Sequence, residues 1–150
     1  MRRAGYAYCL RFAGFALALL LLGWLAHQIW FYNLPSKPLH AAEFPIQAKI
    51  ASTAQSRRWG LMFRLGLEQN QGMLLAFPQP QRVCLWMQYT FLPLSVAFIR
   101  ADGLIAGFSN MAPLTGTPHC SPQPVSYALE VHRGWYDARK LPTGARVTGL

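Results

Sequence analysis

From Phe12 to Leu34 this chain carries no charged residue, and over residues 12–26 it is almost wholly apolar, densest at Leu19 to Leu22. A helix needs about 20 such residues to cross the hydrocarbon core of a bilayer. The strict run is shorter, but Ile29, Trp30, Phe31 and Tyr32 extend it and have the character of an aromatic belt at the far interface. Arg2, Arg3 and Arg11 precede it, a basic flank that stays on the cytoplasmic side. Residues 1–11 therefore read as a cytoplasmic stub, 12–34 as a single transmembrane anchor in the inner membrane, and the rest as extracytoplasmic. A cleavable signal peptide shares the pattern and would release the chain to the periplasm. Its only small-residue cleavage site, Ala41-Ala42, lies well beyond Ala26, which favours the retained anchor. Cys9 comes before the apolar run and is not placed as a lipoprotein attachment cysteine would be.

Of the net charge of +9, Arg2, Arg3, Arg11 and Lys37 belong to residues 1–42, which hold no acid. From Glu43 onward the chain is only modestly basic, and its length suits one domain with one core. Residues 35–45, with Pro35, Pro38 and Pro45, read as a semi-extended spacer. After it the hydrophobic period becomes two. Residues 46–50 alternate as a strand does. Thr53 or Ser56 caps a short helix over 57–64 that ends near Gly66, and 73–77 is a short buried run closed by Pro78 and Pro80. Residues 83–90 and 94–99 are rich in aromatic and β-branched side chains and read as strands. Asp102-Gly103 is a tight-turn pair joining 96–100 to 104–108 as a hairpin. Residues 109–124 form a Pro, Gly and Thr-rich loop. Residues 125–132 return to alternation, with Tyr127, Leu129 and Val131 on one face and Ala128, Glu130 and His132 on the other. The fold expected is all-β, a small sandwich or partly closed barrel with one short helix, preceded by the transmembrane or signal helix.

Gly60-Leu-Met-Phe-Arg64, Gly72-Met73, Phe77-Pro78, Trp86-Met87, Thr90 and Pro93-Leu94 succeed one another here, continued by Asp102-Gly103, Tyr127-Ala-Leu-Glu130, Gly134-Trp135 and Gly144-Ala-Arg-Val147. In that order they resemble domain of unknown function 192, across residues 46–150. The resemblance implies a mainly β domain. That family usually carries an acid after the Pro-Leu pair and Lys-Asn after the Trp-Met pair; here those positions are Ser95 and Gln88-Tyr89.

The candidate ligand or partner surface is Arg64, Trp86, Met87, Thr90, Pro93 and Glu130, a polar pair within an aromatic rim. The competing reading makes Trp86 and Met87 core. Arg57, Arg58 and Arg64 could share a helix face turned to anionic headgroups, or simply a solvated one. Cys84 and Cys120 are the two cysteines beyond the apolar run and could form a disulfide after export, or stay independent thiols. Met62, Met73, Met87 and Met111, with His119 and Cys120, could hold Cu(I) as a periplasmic metal handler, but they lack Met-x-x-Met spacing and suit a core equally. A third reading is a small hydrolase or transferase using Cys120, His119, His132 and Glu130. The acids are too few for an evident acid and base pair. Phosphate-loop, dinucleotide, paired-cysteine zinc and Gly-x-Ser-x-Gly patterns are missing. No cofactor and no nucleic-acid partner are expected. The expectation is a non-catalytic binding or accessory module for a small ligand or a protein partner at the envelope.

Overall fold

The computed structural model describes the backbone of residues 3–150 and the side chains from Ala13 onward. Arg2, and the side chains of Arg3, Cys9 and Arg11 on which the orientation reading rests, lie outside the described residues. The chain divides into two compact units, one up to Leu34 and the other Pro35–Leu150. The first is a single helix, α1 (Arg3–Tyr32). Within it Ala13–Tyr32 is long and apolar enough to cross a membrane, a test that an N-terminal signal sequence also passes.

The second unit is mostly β, built on a seven-stranded sheet in the order β6-β5-β8-β3-β2-β1-β9. The first pair is a hairpin: β1 (Ser36–Ala41) runs antiparallel to β2 (Phe44–Ala51) across Ala42 and Glu43. The segment expected as a spacer is thus mostly a strand. Its prolines permit this because β1 still pairs from Ser36 to Ala41 and buries Leu39 and Ala41 completely. Between β2 and the parallel strand β3 (Gln71–Gln81) lies α2 (Ala54–Trp59). Thr53 caps α2: its Oγ1 accepts from Ser56 N–H at 3.0 Å, and its own N–H donates to Ser56 Oγ. The helix starts earlier than expected and ends at Gly60, whose φ of +47° suits a residue without a β-carbon.

The hairpin around Asp102-Gly103 is present as β5 (Leu94–Ile99) and β6 (Ile105–Met111), and β8 (Val125–His132) has the boundaries read from its alternation. Residues 83–90 do not form the one strand expected of them; only β4 (Cys84–Leu85) is regular, paired with β7 (His119–Cys120) inside the long loop. The remaining residues turn instead, with Thr90 N–H donating to Met87 O. Strand β3 continues through Pro78 and Pro80 rather than stopping before them. A helical turn, α3 (Trp135–Ala138), and β9 (Val147–Thr148) complete the unit.

The sheet curls into a half-barrel whose ends approach each other. Leu104 bridges Arg146, Ile105 N–H donates to Ala145 O, and Val147 N–H donates to Gly103 O, which ties the β5–β6 turn to the segment entering β9. One face of the sheet forms a core of Leu39, Ile46, Leu74, Ala97, Leu129 and Val131, closed by Trp135 and Tyr136. Tyr136 Oη donates to Leu129 O at 2.7 Å, so the buried phenol finds a backbone partner. The opposite face carries Met73, Leu75, Val96, Phe98 and Ala128, all buried, and Glu130.

Candidate functional site

Strand alternation puts Glu130 on that second face, in register with Met73 on β3 and Val96 on β5. It is 7% exposed, and no group among the described residues hydrogen-bonds to its carboxyl. Burial alone raises its pKa to about 7. An acid in such a place is unusual, because burying a charge costs free energy unless something pairs with it.

Above Glu130 a cleft of about 380 Å³ opens between α2 and the segment from Gln81 to Trp86. Leu61, Leu75 and Val83 give it apolar walls, Thr90 a buried hydroxyl, and Trp59 and Trp86 an aromatic rim. Gly60 brings backbone into the lining beside the carboxyl, where a β-carbon would sit 4.0 Å from Glu130 Oε2. Three arginines reach the lining. Arg57 is committed elsewhere, donating to Ala76 O at 2.9 Å and to Ser52 O with its guanidinium over the Phe77 ring. Arg58 and Arg82 are exposed and make no hydrogen bond among the described residues.

The wall that faces α2 is tied by a disulfide. Cys84 and Cys120 are direct cross-strand partners on β4 and β7, and their sulfurs are bonded. The same ribbon is fixed by Ser121 Oγ, which accepts Val83 N–H, and by Val83 O, which accepts Ser121 N–H.

A wider hollow of about 760 Å³ adjoins the cleft and shares Ala54, Arg58, Trp59, Met62 and Trp86 with it. Phe63 and Tyr89 line this hollow with their rings stacked, centroids 5.7 Å apart and planes 18° from parallel. Both have left-handed backbone, φ +58° and +61°, and Phe63 N–H donates to Tyr89 O. Two bulky residues in this region of φ/ψ space carry local strain, a condition that clusters at binding sites.

Of the residues expected to form a surface, Trp86, Thr90 and Glu130 meet in the cleft. Met87 does not: it is 1% exposed and belongs to the interior. Arg64 and Pro93 lie outside the lining; Pro93 O instead accepts Arg133 N–H. The cleft residues that sequence reading passed over are Leu61, Leu75, Val83 and Arg82, whose only sequence signal is an apolar residue or a base near a turn. Ser95, where the resembling family carries an acid, faces away from the cleft. It alternates with Leu94 and Val96, and its Oγ accepts Gly134 N–H at 2.9 Å and donates to Asn110. That family departure therefore bears on how α3 is held and not on the charge around Glu130.

The catalytic constellation is not assembled. Cys120 is bonded to Cys84 and has no thiol to act as a nucleophile. His119 Nδ1 is hydrogen-bonded with Ser109 Oγ, and His132 lines a separate hollow with Arg133 and Trp135. The copper reading loses its ligands for the same kind of reason. Met73, Met87 and Met111 are fully buried core side chains, Met62 lines the cleft, and the disulfide occupies Cys120. Among the described residues no group of three or more His, Cys, Asp or Glu is placed to hold a metal ion.

Residues 38–149 match the family DUF192, described as uncharacterized ACR. A crystal structure of a protein from Sinorhizobium meliloti, described as a proposed transcription regulator, is similar with a TM-score of 0.73 and 30% identity, over 77% of this chain and 95% of that one. A protein of unknown function from Novosphingobium aromaticivorans is similar with a TM-score of 0.75 and 25% identity, over 77% of this chain and 86% of that one. No curated protein matches the chain significantly.

Proposed function

The chain belongs to the uncharacterised DUF192 family, and from that premise we propose that it is a membrane-anchored, extracytoplasmic, non-catalytic binding module whose small ligand sits in the cleft above β8. The observation that supports this reading is the unpartnered Glu130 carboxyl at the floor of an open, apolar-walled cleft with an aromatic rim. Pockets of this size with few convergent polar groups are the usual form of small-molecule sites. The sheet supplies a rigid floor, and the disulfide-tied ribbon supplies a wall that holds its shape without ligand.

A thermal-shift screen of the full chain in detergent micelles against a panel of small anions, amines, sugars and peptides tests this. At least one compound class stabilises the protein, and Ala54→Trp abolishes that stabilisation by filling the mouth from an exposed first-turn position. Hits that bind Ala54→Trp as well as wild type would move the site elsewhere and refute the reading.

The anchored and exported half of the reading is supported by the apolar run Ala13–Tyr32, the basic flank before it and the bonded cysteine pair. In a Cys9→Ser background, alkylation of intact cells leaves Cys84 and Cys120 unlabelled until a reductant is added. Labelling without reductant sinks the extracytoplasmic placement.

A further inference from the structure

We infer that the cleft takes a small amino compound, its ammonium group seated against Glu130 and Thr90 and its anionic group held by Arg58 and Arg82 at the mouth. This rests on the reading of the cleft as a ligand seat and names the chemistry of the occupant.

Three features of the cleft converge on that chemistry. The first is the floor. The Glu130 carboxyl makes no ion pair and accepts no hydrogen bond among the described residues, so its charged form is unmet there. A divalent ion would need further protein oxygens or nitrogens, and no cluster of ligands is present among the described residues. A neutral hydroxyl would satisfy one lone pair and leave the charge unpaired. An ammonium presents three donors and a full positive charge, enough for the carboxylate and for the Thr90 hydroxyl that lines the same cleft.

The second feature is the mouth. Arg57 is spent on backbone carbonyls, whereas Arg58 and Arg82 have their donors unspent and line the opening. A pair of guanidinium groups suits a carboxylate or phosphate. Acid at the floor and base at the mouth select a ligand that is itself dipolar, positive end inward. The third feature is the aromatic rim of Trp59 and Trp86, which offers aromatic surface to an apolar body between the two charged ends. The cleft volume, about 380 Å³, has room for an amino acid or for the first residue of a peptide.

The test is calorimetric titration of the full chain in detergent micelles with five probes. They are L-phenylalanine, N-acetyl-L-phenylalanine, 2-phenylethylamine, 3-phenylpropionate and the dipeptide Phe-Ala. Phenylalanine is expected to bind at least about tenfold more tightly than its N-acetyl form and than phenylethylamine, the effect of one lost charge-assisted contact at either end. Glu130→Gln removes the preference for the free amine and leaves 3-phenylpropionate binding within about twofold, which also reports that the variant is folded. Arg58→Ala with Arg82→Ala weakens phenylalanine and 3-phenylpropionate together. If Phe-Ala binds more tightly than phenylalanine, the source is a peptide amino terminus; if phenylalanine wins, it is a free amino acid.

Equal binding of the N-acetyl and free-amine forms overturns the inference. So does an amine preference that survives Glu130→Gln. In either case, probe binding still blocked by Ala54→Trp leaves the cleft reading standing, so the two failures are distinguishable. Failure of all five probes to bind overturns the inference outright.

Discussion

Glu130 makes the stability of this domain depend on pH in a way that one substitution removes. Its carboxyl titrates at about 7 in the folded chain because burial penalises the charged form, against 4.5 for the exposed group. Below 4.5 the side chain is neutral in both states, and the stability associated with it is fully present. As pH rises the unfolded chain ionises first, and that stability is lost as the pH passes through the folded value of about 7. At roughly 1.4 kcal/mol per pH unit, the loss between pH 4.5 and about pH 8 is about 3 kcal/mol. Glutamine is close in shape and never ionises. The stability of Glu130→Gln relative to wild type should therefore rise by about 3 kcal/mol from pH 4.5 to about pH 8.

Urea unfolding of both full-length proteins in micelles, followed by tryptophan fluorescence, measures this difference at each pH. Taking the difference cancels groups shared by both. Among these is Asp102, lowered by its hydrogen bond with Arg100, whose own contribution is lost as pH falls. The charged groups that line the cleft with Glu130 are Arg57, Arg58 and Arg82, and both proteins carry them. The Tyr136 phenol, on the other face of the sheet, is held well above its usual value by burial and stays neutral. A stability difference that stays flat between pH 4.5 and about pH 8 would refute the reasoning, because it would mean that the carboxyl finds a partner or solvent in the folded protein.

Two further substitutions probe the frame around the cleft. Replacing Cys84 and Cys120 together with serine opens a link between residues 36 apart, and the chain-entropy relation puts the loss at about 4 kcal/mol; urea midpoints of the oxidised wild type and the double variant compare them, and equal midpoints would show that the bond does not constrain the fold. Gly72→Ala places a β-carbon 2.6 Å from Glu130 O and 3.1 Å from Val131 Cγ1, where backbone cannot yield, so it should cost about 1–3 kcal/mol and displace β8; an unchanged melting temperature would mean that the β3–β8 register tolerates the shift.

Much of the architecture is legible in local pattern. Aromatic and β-branched composition locates β5 and alternation locates β8 to the residue, Asp102-Gly103 locates β6 as the hairpin partner of β5, and a charge-free run locates the apolar part of α1, Ala13–Tyr32. These succeed because a half-buried strand, a tight turn and an apolar helix each impose a rule within a few residues. Where pairing is decided at a distance the reading fails. Ser36–Ala41 contains Pro38 and follows Pro35, so it reads as a spacer, yet it becomes a strand because β2 on one side and β9 on the other offer it partners. Residues 83–90 have strand composition but no continuous partner, so only the two residues opposite β7 pair and the rest turn.

The candidate site divides in the same way. Sequence alone determined that Glu130 would sit on the opposite side of its strand from Leu129, and that Trp86, Thr90 and Glu130 belong to one family-like set of segments. It could not say which face of the sheet would be open. Both faces of β8 are covered, one by α3 and its rings and the other by α2 and the disulfide-tied ribbon, and the second covering leaves the cleft above Glu130. The same folding buried Met87, turned Ser95 away, spent Arg57 on backbone carbonyls and left Arg58 and Arg82 uncommitted. The side on which a residue points is a property of its own strand's two-residue period, so sequence holds it. Whether that side is packed or left open depends on elements far away along the chain, and only long-range packing settles it.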